Sequence, residues 1–201
     1  MRSTPEFDAA AHALAEVGWC VISGFLDERR TQSLVDECAT MHDARLLQTA
    51  RTGNARSTSS LRGDRTHWFV NADMSAPQQM FTNRIDQLRV ALNRQLMMGL
   101  VDCESHYAVY RPGAIYARHL DCLRGSDARV VSAVFYLNAN WRDEDGGALR
   151  LYLGDGSSRD IYPHAGNLLL FLSAGFEHEV LPASRDRMSI ACWLRQQAFQ
   201  P

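Results

Sequence analysis

No cluster of basic residues occurs anywhere in this chain of 201 residues. Its 21 Lys plus Arg are scattered and are offset by 23 Asp plus Glu, for a formal net charge of -2. A surface so balanced offers no electrostatic footprint for a phosphate backbone, and nucleic acid is not expected as a partner. Long apolar runs are missing as well. A run such as Leu168 to Leu172 is far shorter than the roughly 20 residues a membrane helix needs, so no membrane contact is expected. The opening stretch MRSTPEFDAAAHALAEVGW lacks the uninterrupted apolar core of a signal peptide. Close cysteine pairs are also lacking. Cys20, Cys38, Cys103, Cys122 and Cys192 are odd in number, far apart and without a CxxC, which fits reduced thiols in a cytoplasmic protein.

What is present has the size and apolar content of one domain, with 46% hydrophobic residues and no internal repeat. Residues 1–100 read as helical support and a lid loop, and residues 101–201 as the sheet-rich core. Pro5 to Val17 predicts a short helix and Trp19 to Ser23 a strand. Asp27 is placed to cap a second helix, in which Leu34, Val35, Cys38 and Met41 recur at helical spacing. Met80, Phe81, Ile85, Leu88, Leu92 and Leu96 mark one face of a long helix. Between these helices, the polar stretch TARTGNARSTSSLRGDRTHWF shows neither helical nor strand period, and Thr52 to Phe69 is expected to be a mobile lid. From Ser105 onward come HYAVY, VVSAVFYL, ALRLYL, DIYP, NLLLFL, HEVLPA and MSIACWL, several separated by Gly- and Pro-containing turns. Many strands without intervening helices predict a mostly β protein with N-terminal helices, an antiparallel sandwich or jelly roll.

The chemistry concentrates in IYARHLDCLRG. On a strand, residues two apart point to one face, so His119 and Asp121 would meet there. That pair alone also fits a surface strand carrying a salt-bridged histidine. A third candidate, His178, opens another strand-like run. Two His and one Asp match the facial triad that holds Fe(II) with open positions, and a zinc hydrolase can use the same donors. The discriminating feature is a cation for an acidic cosubstrate. Arg187 begins the last long strand and can grip a carboxylate with two parallel hydrogen bonds; Arg185, of the same parity, reads better as a solvated strand-start residue.

The ordered set LRGDRTHWF, YRPGAIYARHLD, VFYLNANWRDEDGGALRLY and HEVLPASRDRMSIACW resembles the iron- and 2-oxoglutarate-dependent dioxygenases. More narrowly, it resembles the prolyl hydroxylases of the oxygen-sensing, hypoxia-inducible-factor type and their bacterial counterparts. The resemblance implies a double-stranded β-helix (jelly roll) supported by α-helices. It makes His119, Asp121 and His178 the ligands of Fe(II), and makes Arg187, with the hydroxyl of Tyr136, the holder of 2-oxoglutarate. Tyr110 or Tyr116 would be a further contact near the cosubstrate or substrate. Arg129 would lie near a peptide entrance, and Arg62 and Asp64 would meet substrate from the lid. Dioxygen would be the second cosubstrate and L-ascorbate the supporting reductant. The implied reaction is 4-hydroxylation of a prolyl residue in an exposed loop of an intracellular protein, with elongation factor Tu as first candidate.

Cys122-Leu123 stands where the family commonly has Asn-Pro, a departure at the substrate mouth. Two rivals remain: hydroxylation of a free amino acid or small metabolite, and a non-catalytic jelly roll that senses a metal or ligand. His67, His106 and His164 read as surface or core-satisfied histidines, Trp141 and Trp193 as sheet packing, and RDEDGG as a solvated turn without calcium-loop spacing.

Overall fold

A computed structural model of the chain describes residues 4–50, 62–122 and 128–197. In chain order the elements are α1 (Pro5–Glu16), β1 (Trp19–Ile22), α2 (Glu28–Asp43), β2 (Gln48–Thr49), β3 (Asp64–Trp68), α3 (Ala76–Leu96), β4 (Leu100–Tyr110), β5 (Tyr116–His119), β6 (Arg129–Tyr136), β7 (Leu149–Tyr152), β8 (Ser158–Ile161), β9 (Leu168–Leu172), β10 (His178–Val180) and β11 (Arg187–Gln196). A seven-stranded sheet runs β1-β9-β6-β11-β4-β3-β2, and a four-stranded sheet runs β5-β10-β7-β8. Neighbouring strands in both sheets pair antiparallel. This is the jelly roll with helical support that the sequence predicts.

Local chemistry sets the helices. Asp27 caps α2 by accepting the Arg30 N–H at 2.8 Å, and Ser75 caps α3 by accepting from Gln78 N–H at 3.3 Å. Phe81, Ile85, Leu88 and Leu92 are fully buried along one face of α3. They join Tyr107, Val109, Val131, Phe135, Ile190 and Leu194 in the main core, so this core lies between the helices and one face of the large sheet. A partly buried polar tie adds direction. The Glu37 carboxylate of α2 accepts from Ser75 Oγ (2.5 Å), Gln78 Nε2 (2.6 Å) and Tyr107 OH (3.1 Å).

Strand parity gives the large sheet two different faces. Residues 107 and 109 of β4, 131, 133 and 135 of β6, and 190, 192 and 194 of β11 belong to the core. The alternate residues Ala108, Tyr110, Ser132, Val134, Ser189 and Ala191 line a cleft between the two sheets. No helix among the described residues is long and apolar enough to cross a membrane.

The lid expectation needs correction over its second half. Asp64–Trp68 is a strand, in register with β4 from Asp64↔Tyr110 to Trp68↔His106. Its inward residues are Asp64 and Thr66, so the buried face carries polar groups and the alternation is invisible to an apolar pattern. Residues 52–61, the first half of the expected lid, lie outside the described residues.

Candidate active site

His119 ends β5 and His178 opens β10, and the two are direct partners in the antiparallel pair. Asp121 is not on the strand with His119. The chain leaves β5 after His119 and bends so that Asp121, 9% exposed, comes back beside both imidazoles. Its Oδ1 is 3.7 Å from His119 Nε2 and its Oδ2 is 3.6 Å from His178 Nε2. The three ligand atoms all lie within 4.8 Å of one another. His119 Nδ1 donates to the Ala117 carbonyl at 2.7 Å, and His178 Nδ1 donates to the Phe176 carbonyl at 3.3 Å. A carbonyl only accepts, so each ring carries a proton on Nδ1 and the Nε2 atoms converge on the centre. Tyr116 stacks on His119 with ring centroids 3.7 Å apart, holding the ring plane.

The electrostatics suit a cation. Burial opposes the charge of Asp121, but hydrogen bonding and charge from His119, His178 and Ser132 outweigh it and hold the carboxyl well below the usual range. Burial lowers the affinity of His178 for a proton, Asp121 opposes that, and His119 adds to it. An ionised carboxylate and two imidazole Nε2 atoms, any proton on which a bound cation would displace, form the donor set that Fe(II) takes in a facial triad. The residues present therefore fit an iron ion.

The same cleft holds a second polar cluster. Arg187 is 1% exposed, yet no carboxylate accompanies it among the described residues. Its Nε donates to the Gly147 carbonyl at 2.8 Å and its Nη1 to Ser189 Oγ at 3.2 Å, while Nη2 has no partner. The buried hydroxyl of Tyr136 is also without a partner, and the guanidinium lies 5.3 Å from the ring centres of both Tyr110 and Tyr136. Burial pushes the Tyr136 phenol up to about 12, against the pull of Arg187, so the hydroxyl keeps its proton. A buried cation beside an unused O–H donor is costly unless an anion completes it. The distal carboxylate of 2-oxoglutarate has the charge and the two oxygens to do so.

Arg185 is elsewhere. It packs over Trp141, 4.4 Å from the ring centre, and pairs with Asp145 at 3.2 Å. Of Gly146 and Gly147, read as a mere turn, Gly147 supports Arg187 and the Gly146 carbonyl accepts from Trp141 Nε1 at 3.0 Å. Both have positive φ, and a Cβ on Gly147 would meet Ala183 Cβ at 3.0 Å and Arg187 Cδ at 3.4 Å.

Around the mouth, the expected substrate residues divide. Arg62 lines the cleft over Tyr116, 4.7 Å from the ring centre. Asp64 is 1% exposed and is spent on a two-point ion pair with Arg62, at 2.6 and 2.9 Å, so it orients Arg62 and is shut off from substrate. Arg129 bonds Glu104 at 2.8 Å and stacks 3.8 Å above the centre of Trp193. Every cation here is a guanidinium, because the chain contains no lysine.

Three residues differ from the sequence reading or escape it. Trp193 lines the cleft as well as packing the sheet. Ser132 donates to Asp121 Oδ2 at 2.7 Å. His106, expected at the surface or satisfied in the core, is 1% exposed in the cleft wall between Trp68 and Trp193. Its Nδ1 donates to the Tyr107 carbonyl at 3.0 Å and its Nε2 has no partner. The position of His106 on the cleft-facing parity of β4 was the available signal.

Burial, with Arg62 nearby, pushes the His106 imidazole down to about 4. As pH falls from about 6.5 towards 4, the unfolded chain takes up this proton and the folded chain does not. Stability is therefore lost across that window, by about 2–3 kcal/mol for this group. His106→Met is expected to lose correspondingly less between pH 7 and pH 4.5 in urea unfolding. Equal slopes in the two proteins would contradict a dry, neutral His106.

Residues 105–195 match the 2OG-Fe(II) oxygenase superfamily. The chain is 30% identical over 185 residues to Egl nine homolog 1 of Homo sapiens, covering 88% of this chain and 43% of that protein, so it spans less than half of that relative's length. It is similar to the crystal structure of a Pseudomonas putida prolyl-4-hydroxylase, with TM-score 0.87 and 41% identity, covering 95% of this chain and 99% of that one. It is also similar to a Trichoplax adhaerens prolyl hydroxylase in complex with a hypoxia-inducible-factor oxygen degradation domain peptide fragment. There the TM-score is 0.88 and the identity 26%, covering 94% of this chain and 89% of that one.

Proposed function

Since the chain belongs to the 2OG-Fe(II) oxygenase superfamily, we propose that it is a 2-oxoglutarate-dependent prolyl 4-hydroxylase acting on a prolyl residue of an intracellular protein. The observation that carries the reading is the pairing, in one cleft, of a His119-Asp121-His178 donor set with a buried Arg187 that lacks an anion. When bound there, iron with 2-oxoglutarate and dioxygen supplies an oxidation in which one oxygen atom enters a C–H bond and the other enters succinate, with release of carbon dioxide.

The chain's own residues bind, orient and exclude water. His119, Asp121 and His178 would hold the metal. Arg187 fixes the distal carboxylate of the cosubstrate, and Tyr136 donates its O–H to the same group. Tyr110 walls the guanidinium, and Tyr116 keeps the His119 ring in plane. Arg62 lines the cleft and Arg129 packs on Trp193, which lines it; each has its charge partly answered by a carboxylate, so they can meet a peptide without demanding an acidic one.

A polypeptide substrate is favoured by Trp68, Ile115 and Leu120, large apolar side chains left 41–45% exposed in segments bordering the cleft. A prolyl ring loses little freedom on binding because its φ is already fixed. The similarity to two prolyl hydroxylases, one of them holding a peptide, supports the same choice. Elongation factor Tu is the first substrate to test, with ascorbate as reductant, and the cytoplasm is the proposed compartment, in keeping with five cysteines that form no disulfide.

Candidate peptides incubated with enzyme, iron(II), 2-oxoglutarate and ascorbate are expected to gain one oxygen on proline, and to lose that gain on Pro→Ala substitution. Oxygen on Asn, Asp, Lys or a free amino acid would overturn the prolyl reading and leave an oxygenase. Absence of iron-dependent succinate release with every substrate would favour a non-catalytic sensor.

A further inference from the structure

The Asp121 carboxylate is held by a buried hydroxyl that a second buried hydroxyl backs. Ser132 Oγ, on the cleft face of β6, donates to Asp121 Oδ2 at 2.7 Å. Ser173 Oγ, just past β9, lies 2.9 Å from Ser132 Oγ. Ser132 is 1% exposed and Ser173 is 0% exposed. An ionised carboxylate only accepts, so the single hydroxyl proton of Ser132 goes to Asp121. In the contact between the serines, the donor must then be Ser173. The backbone fixes Ser173 in turn, because its N–H donates to the Val130 carbonyl at 3.0 Å. The result is a one-way chain, Ser173 to Ser132 to Asp121, with every proton assigned.

The chain acts on one carboxylate oxygen only. Oδ2 accepts the Ser132 hydrogen bond, which sets the rotation of the carboxylate and draws charge from that oxygen. Both oxygens face the imidazoles, Oδ1 3.7 Å from His119 Nε2 and Oδ2 3.6 Å from His178 Nε2, so position does not choose between them; the Ser132 bond to Oδ2 does, leaving Oδ1 the stronger donor. An octahedral ion held by two imidazoles and one carboxylate oxygen has three positions left. A carboxylate that chelates through both oxygens leaves two, and a bidentate 2-oxo acid fills both. On that count, whether Asp121 uses one oxygen or two decides whether dioxygen finds a place.

We infer that Ser132, oriented by Ser173, is a positioning residue that keeps Asp121 a one-oxygen ligand and so preserves the metal position needed by a diatomic gas. The inference rests on the reading of His119, Asp121 and His178 as metal ligands.

The test uses the full chain loaded anaerobically with saturating iron(II) and 2-oxoglutarate, and titrates nitric oxide as the diatomic probe, read by electron paramagnetic resonance. Ser132→Ala is expected to weaken nitric oxide binding about 10- to 100-fold, the scale on which supporting partners of metal ligands act. Ser132→Thr, which keeps the hydroxyl, is expected to restore it. Ser173→Ala, which leaves the Ser132 proton but frees its direction, is expected to fall between, and it serves if the threonine variant fails to fold. Wild-type affinity in both alanine variants would overturn the inference alone. A wild-type protein that binds no iron(II) would overturn the metal reading and the inference with it.

Discussion

Replacing His119 or His178 with alanine is expected to abolish iron-dependent turnover while the fold persists. Each side chain aims its Nε2 at the shared centre through a tautomer fixed by a backbone carbonyl, so neither can be substituted by a neighbour. The loss should exceed the roughly 10- to 100-fold that follows removal of a mere supporting partner. Neither histidine belongs to the helix–sheet core, whose side chains lie on the other face of the large sheet. Far-ultraviolet circular dichroism and the thermal midpoint should therefore stay near wild type, while binding of cobalt(II), followed by its visible absorption, should be lost. A His119→Ala or His178→Ala protein with wild-type turnover would remove the metal assignment.

The second large effect is expected at the buried cation of the same cleft. Arg187→Ala should raise the KM for 2-oxoglutarate about 10- to 100-fold, because charge-assisted hydrogen bonds contribute about 1.5–3 kcal/mol. Cobalt(II) should still bind, since Arg187 contributes nothing to the triad. Arg187→Lys should be intermediate, keeping the charge but losing the planar fork and its bond to the Gly147 carbonyl. Stability should fall little in Arg187→Ala, because no buried carboxylate among the described residues is left unpaired by it. An unchanged KM would mean that the carboxylate of the cosubstrate is held elsewhere.

The sequence made the regular elements legible where apolar spacing and caps were strong. Pro5–Glu16 ends one residue before the expected Val17, and Asp27 caps α2 as its position implied. The strand-like runs after Ser105 fall on β4, β6, β7, β8, β9, β10 and β11. Legibility failed where burial was polar. β3 turns Asp64 and Thr66 inward, and β5, reading Tyr-Ala-Arg-His, has no apolar alternation at all. The triad and Arg187 were picked out because their residue types are rare in combination. Ser132, Ser173 and His106 belong to common types, and their significance lies in long-range register. Only the pairing of β6 with β9 and of β4 with β11 brings them to the cleft.

The two-faced large sheet has a consequence for how the protein can change. Val134, Ala191 and His106 form one rung across three neighbouring strands, directly opposite one another. Their chain neighbours Phe135, Ile190 and Tyr107 face the helices. A substitution on the rung resizes the chamber without touching the layer that holds the fold together, whereas a substitution one residue away does the reverse. Adaptation to a new substrate can therefore proceed by changing alternate letters of β4, β6 and β11, leaving the remaining letters to keep the scaffold. A library that randomises 106, 134 and 191 together should yield mostly folded proteins with altered substrate preference, while the same library shifted by one position should yield mostly unfolded ones.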